Sequence, residues 1–203
     1  MRLSPELLDS LKRQEGFRAV PYRCPTGHVT IGYGHNLEAD PSPLLNMDAA
    51  WGESGVFLAQ QIIQKSIKGR VLLNVLSKSG LRWSEARATD QLERDALGVA
   101  DALSRRCPAY RHLSNLAASA RAGRSEGGTP NADADRACAR AEVLINMAFN
   151  LGITGLLKFR RALDAVRVDD YEAAATHMLD SRWASQVGRR AVELARQMRT
   201  GVR

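Results

Sequence analysis

Residues 21–35 read PYRCPTGHVTIGYGH, and this stretch constrains the fold more than any other part of the chain. Cys24-Pro25-Thr26-Gly27 is turn chemistry, and Val29, Ile31 and Tyr33 alternate with smaller or polar residues as in a half-exposed strand. Gly32 and Gly34 interrupt that strand. Glycine inside a strand marks a place where a helix or a ligand comes close to the backbone. The pattern therefore predicts a β-hairpin pressed against a neighbour. What precedes it reads as a helix: Ser4 can cap, Pro5 is tolerated at the first helical position, and Glu6 lies near the positive end. Leu7, Leu8 and Leu11 recur at helical spacing and Gly16 can end the run. Glu15 is thereby expected in the last turn of a short helix, where the dipole disfavours a negative charge.

The rest of the chain is mostly helical in pattern. Pro41 and Pro43 open a loop, and residues 56–80 read as one broken helix or two short ones ending near Gly80. Ser84 can cap a long helix to about Arg106, with Ala88, Leu92, Ala96, Val99 and Leu103 on one stripe and Pro108 beyond its end. This helix is expected to join two lobes. Residues 120–135, ARAGRSEGGTPNADAD, are rich in Gly, Ser, Asp and Pro with little to bury, and read as a mobile loop. Helices are expected over 136–150, 155–166, 171–181 and 187–199, punctuated by Gly152, Gly188 and Gly201. The fold class is α+β, mainly α.

With 203 residues the chain can bury a real core as a single domain. Its net charge of +7 calls for an anionic partner: nucleic acid, acidic lipid or a polyanionic wall. The basic residues are spread along the chain with no zinc-finger spacing or basic zipper, which puts nucleic acid behind the others. Cys24, Cys107 and Cys138 are odd in number and irregular in spacing, so unpaired thiols are favoured over a Cys107–Cys138 bridge, and no structural metal is expected. Glu6, Asp9, Lys12 and Arg13 break up the apolar run that a signal peptide needs, and no stretch approaches a membrane span.

Glu15, Cys24 and Thr30 fall on a helix end, a turn and the returning strand, which a hairpin folded beside the helix could bring together. Singly, each has an ordinary explanation: a solvated charge, an incidental thiol, a strand former. Together, QEGFRAVPYRCPTGHVTIGYGH resembles the active-site segment of the phage lysozymes, glycoside hydrolase family 24. The family pattern is a glutamate, eight residues, an aspartate or less often a cysteine, five residues, then a threonine opening Thr-Ile-Gly-x-Gly-His. Glu15, Cys24 and Thr30-Ile31-Gly32-Tyr33-Gly34-His35 fit it. Residues 144–163 and 181–191 resemble the family's helical C-terminal part. The likeness covers about 4–36 and 83–203, leaving apparent insertions in 37–80 and 118–138.

The resemblance implies a lysozyme-like fold, one domain over 1–203. A hairpin-bearing lobe would span about 1–95 and a helical lobe about 96–203, with a cleft between them. It implies an endolysin muramidase that hydrolyses the β-1,4 bond between N-acetylmuramic acid and N-acetylglucosamine, without cofactor or metal. Glycoside cleavage needs one carboxyl to protonate the leaving oxygen and a second group to deal with the oxocarbenium-like centre. Glu15, the only carboxyl in the motif, takes the acid role. By family analogy Thr30 places water, Arg190 orients Glu15, and Asn36, Phe149 and Asn150 line the cleft. Asn146, Met147 and Trp183 fit core and contact equally, and His35 is expected to be structural, with Asp95 its candidate partner. A Glu15 carboxylate beside Cys24 would raise the thiol's pKa, leaving it neutral unless Arg23 compensates, so hydrolysis with inversion is favoured over a cysteine nucleophile. The alternatives are a lytic transglycosylase, or a wall-binding module with a degenerate site. The expected setting is a monomer held in the host cytoplasm until a holin admits it to the periplasm and its peptidoglycan.

Overall fold

The computed structural model describes residues 3–46, 52–122 and 131–203. It contains a three-stranded antiparallel sheet near the N-terminus, and helices make up most of the rest. This is the α+β, mainly helical architecture of a lysozyme-like chain. The chain divides into two compact units, Leu8–Asp95 and the combination of Met1–Leu7 with Ala96–Arg203.

In the first unit, helix α1 (Pro5–Glu15) ends at Gly16, which takes φ +71° and returns its N–H to the Lys12 carbonyl at 3.0 Å. The chain then enters β1 (Arg18–Arg23), β2 (Val29–Gly32) and the short β3 (His35–Asn36), in that order across the sheet. The 24–27 turn closes with Gly27 N–H to Cys24 O at 2.8 Å. All four residues of β2 are buried, against the expectation of a half-exposed strand. The reason is that β2 is the central strand and both its faces are covered. Gly32 shows how tightly: a Cβ there would lie 3.0 Å from both the Ala88 Cβ and the Trp83 ring, and its φ is +66°.

A 3-10 turn (Ser42–Asn46) leads on to α2 (Gly52–Gln64) and α3 (Gly69–Lys78), so the broken-helix pattern over 56–80 resolves into two helices. Glu38 ties this region to the hairpin, its Oε1 accepting from Val29 N–H at 3.0 Å and Gly69 N–H at 3.1 Å. The Trp83 N–H donates to Ala19 O at 2.8 Å, extending β1's backbone bonding to the segment before α4 (Glu85–Arg106). The core is Leu11, Val29, Ile31, Leu72, Leu76, Leu81 and Leu92. Each such side chain stabilises the fold by about 1.5–3 kcal/mol through removal from water. His35 is buried among them, with Nδ1 2.8 Å from Asp95 Oδ2 and Nε2 2.9 Å from the Asp40 carbonyl. Gln91 holds the other Asp95 oxygen at 2.8 Å. Burial opposes charging the ring, but the hydrogen bond and charge of Asp95 outweigh it, and the His35 pKa is raised.

The second unit is helical: α5 (Pro108–Ala122), α6 (Ala132–Leu156), α7 (Arg160–Arg167), α8 (Tyr171–Leu179), α9 (Arg182–Val187) and α10 (Arg189–Thr200). Several of these differ from the expected spans. Pro108 lies just beyond the end of α4, as its position after Arg106 predicts, and also opens α5. Residues 123–130, half of the loop expected over 120–135, lie outside the described residues. The flanks of the apparent 118–138 insertion are helical because alanine dominates them. Asn131 caps α6 by accepting from Asp133 and Ala134 N–H, and Ala117, Ala137 and Cys138 pack together. The helix expected over 155–166 is two pieces: Gly152 (φ +71°, ψ +160°) kinks α6, which runs on to Leu156, and α7 starts afresh at Arg160. The helix expected over 171–181 forms as α8 and stops at Leu179, because Ser181 starts the short α9 by accepting from Ala184 N–H at 3.1 Å. On α6 the buried Glu142 accepts from Ser4 N–H at 3.1 Å, Ser4 Oγ at 2.9 Å and Arg203 Nε at 2.6 Å, fixing both chain ends to one carboxylate.

Two outcomes follow from the packing around β2. Gly32→Ala combines a left-handed φ with contact against Trp83 and Ala88, and is expected to lower unfolding stability by roughly 2–4 kcal/mol. Gly16→Ala, with open space around it, should lose only about 1–2 kcal/mol. Urea denaturation of the two variants checks the difference. The His35 pKa is raised above its unfolded value, so the stabilisation it brings is full below about pH 6.5 and is lost as pH rises through the folded value. The stability gap between the parent and His35→Gln should therefore be larger at pH 5.5 than at pH 9. A gap that widens with rising pH would contradict the doubly donating, charged ring.

Candidate active site

The end of α1 and the hairpin enclose a recess of about 390 Å³, lined by residues of the Leu8–Asp95 unit alone. Glu15 borders it from the helix end, Arg18 and Tyr22 from β1, and Cys24, Pro25, Thr26 and His28 from the turn region. Thr30, Gly34 and Asn36 complete the lining from β2 and β3. Glu15, Cys24, Thr30 and Asn36, which the sequence suggested together, thus share one cavity. The local cause is the run Glu15-Gly16: the glycine turns the chain sharply out of α1 and lets the hairpin fold back alongside the carboxylate. Gly34 (φ +85°) completes the fit, since a Cβ there would stand 3.6 Å from Glu15 Oε2.

Each side chain is held differently. Thr30 is buried, opposite Tyr22 and Asn36 in the sheet register, with its Oγ1 3.5 Å from the Tyr22 carbonyl. Asn36 spends its amide oxygen on the following turn, accepting from Glu38 N–H at 2.9 Å and Ala39 N–H at 3.1 Å. That geometry leaves its amide nitrogen as the group able to donate outward. Cys24 Sγ lies 3.0 Å from Thr26 Oγ1. The Thr26 hydrogen bond, seconded by backbone amides of the turn, outweighs the opposing effect of burial and holds the Cys24 thiol below its ordinary pKa. The expectation of a thiol pushed up by Glu15 is corrected: what acts on Sγ is a set of turn donors, which favour the thiolate. Cys107 goes the other way, raised by burial, and all three cysteines are free.

The remaining sequence-suggested residues belong to the helical unit. Arg190, on α10, donates through Nε to Asn146 Oδ1 and through an Nη to the Asn146 carbonyl, both at 3.0 Å. Asn150 accepts from the Trp183 indole at 2.9 Å, and Phe149 is half-buried on α6. Asn146, Met147 and Trp183 are all buried. The sequence reading missed Arg18, Tyr22, Thr26 and His28 as lining residues. The signal for Tyr22 was present, because a hairpin centred on 24–27 sets it across from Thr30. The irregular pairing before it concealed Arg18. Among the described residues no group of three His, Cys, Asp or Glu side chains is placed to hold a metal ion.

A model of the phage lysozyme family matches residues 12–120, more than half of the chain. The chain belongs to the phage lysozyme family. A phage lysozyme is a glycosidase-type hydrolase with a peptidoglycan-lytic function, which suits a recess with one helix-end carboxyl and a polar hairpin wall. The matched span holds every residue that lines this recess and runs through 37–80, a stretch the motif resemblance had set aside as an insertion. It stops short of Phe149, Asn150 and Arg190, whose suggested roles rest on the motif resemblance alone.

Thiol reactivity tests the turn geometry. Iodoacetamide labelling of Cys24, followed by peptide mass mapping, should titrate with a midpoint below that of the same cysteine in the urea-unfolded chain. Thr26→Ala should move the midpoint upward. A parent midpoint above the unfolded-chain value would mean that the turn donors do not control the sulfur.

Proposed function

We propose that this phage lysozyme is a muramidase of glycoside hydrolase family 24, an endolysin that hydrolyses the β-1,4 bond between N-acetylmuramic acid and N-acetylglucosamine. The observation that carries the reading is the gathering of Glu15, Cys24 and Thr30 around one recess on the hairpin. Among the described residues Glu15 is its only carboxyl, and it serves as general acid, delivering a proton to the glycosidic oxygen as the bond to the anomeric carbon breaks. Thr30 Oγ1 and Cys24 Sγ stand on the hairpin wall and hold the attacking water, which adds to the anomeric carbon from the opposite side, inverts it and loses its extra proton to solvent, from which Glu15 is reprotonated. Cys24 occupies the place of an aspartate, and its lowered pKa makes it a more carboxylate-like partner for the positive centre than a neutral thiol. The Asn36 amide can donate to a sugar acetamido or hydroxyl group. The net charge of +7 draws the protein to a wall rich in lactyl and peptide carboxylates.

Glu15→Gln removes the transferable proton while keeping the side chain's size. Cleavage of purified sacculi should fall by about a hundredfold to ten-thousandfold with an unchanged circular dichroism spectrum. A folded Glu15→Gln protein within a few fold of parent activity would remove Glu15 from the acid role.

A further inference from the structure

The acidic and basic side chains lining the recess are those of Glu15, Arg18 and His28. His28 is engaged, with Nδ1 3.5 Å from Glu38 Oε2. The other nearby cation, Arg23, donates from Nε to the Gly27 carbonyl at 2.9 Å and lies against Gly27, outside the lining. Arg18 is different. Its guanidinium carbon sits 4.4 Å from the centre of the Tyr22 ring, and it makes no ion pair or hydrogen bond among the described residues.

The strand geometry explains how it gets there. In a regular strand, residues four apart stand roughly 13 Å apart along one face. Here Arg18 pairs with Gly32 and Tyr22 with Thr30, so β1 carries extra residues against β2, and the bulge shortens that span and re-aims the Arg18 side chain. Pro21 lies within the bulge, where its missing N–H costs no ladder hydrogen bond. The stacking has a chemical consequence. The cation is held over the ring by the ring's quadrupole, an attraction that uses its charge and leaves its N–H donors available to another group. A guanidinium held this way keeps its donors for an oxyanion and has already lost much of its side-chain freedom.

We infer that Arg18 is a specificity-determining residue, a clamp at the rim of the recess for a substrate carboxylate, the lactyl or stem-peptide carboxylate attached to the muramyl sugar. The inference rests on the reading of this recess as the glycan site. A planar fork matches a carboxylate bidentately, whereas a lysine at the same place could neither stack as a plane nor offer two parallel donors. Tyr22 is then a positioning residue that acts through Arg18.

The test compares KM and kcat of the full chain on soluble peptidoglycan fragments with free carboxyls and on the same fragments after carbodiimide amidation. The parent should lose about tenfold or more in KM on amidation, with kcat largely kept. Arg18→Ala should show the raised KM on both substrates and no response to amidation, and Arg18→Lys should fall between. Arg70→Ala, removing an exposed charge on α3, should behave as the parent does and so exclude a general effect of net charge. Tyr22→Phe should keep the response to amidation and Tyr22→Leu should weaken it. The inference fails if Arg18→Ala still responds to amidation as the parent does, or if it lowers kcat equally on both substrates. It stands, and the acid assignment alone falls, if Glu15→Gln remains active while Arg18→Ala shows the expected loss.

Discussion

Two missing methyl groups determine how close the hairpin of this protein can come to what surrounds it. At Gly32 the backbone lies against the Trp83 ring and the Ala88 side chain with no room for a Cβ, and at Gly34 it passes beside the Glu15 carboxylate. The first contact seats the hairpin on the N-terminal end of α4, and the second brings the acid over the strand that carries Thr30. Both glycines also take left-handed φ values, so the backbone bends where the contacts occur. The strand thus gives up the stability that β-branched side chains would bring, in exchange for proximity. His35 and Asp95 anchor the same strand from beneath, and Glu38 ties it to the start of α3.

On that frame the turn and the bulge set the chemistry of the recess. The 24–27 turn aims donors at a sulfur, which shifts a cysteine toward the anionic character that an aspartate would have had. The bulge between Arg18 and Tyr22 carries a guanidinium onto a ring face at the rim. Neither feature needs a residue from outside the hairpin and the helix end. A short segment of chain therefore defines the acid, its polar opposite wall and a cation, which is why a motif of little more than twenty residues carries so specific a resemblance.

The parts of the fold that the sequence made legible are those governed by local rules. Ser4-Pro5-Glu6 starts α1, Ser84 caps α4, and Gly16 ends α1, each through a hydrogen bond or a φ value peculiar to that residue type. Gly32 at the end of β2 and Gly34 just after it pointed to a close neighbour because only glycine tolerates one there. What escaped was decided by packing or by competition between similar signals. Polar composition over 120–135 suggested a loop, but alanines on either side extend α5 and α6 toward it. The break at Gly152 was legible from the glycine itself, but a helix start at Gly155 was not borne out, because α6 runs on past the kink to Leu156 and α7 begins at Arg160. The burial of β2 on both faces depends on residues far along the chain, and alternation within the strand cannot reveal it. The direction of the Cys24 pKa was missed because it depends on where Thr26 and the turn amides point, a matter of ångströms within the turn.

The central claim is that water completes the cleavage that Glu15 begins. End-group analysis of the muropeptides released from purified sacculi, by mass spectrometry with and without borohydride reduction, tests it most directly. The account predicts muramyl products with free reducing ends, every one of which borohydride converts to the alcohol. Products ending in 1,6-anhydro-muramyl groups, which borohydride leaves untouched, would contradict it and place the attacking oxygen on the substrate itself.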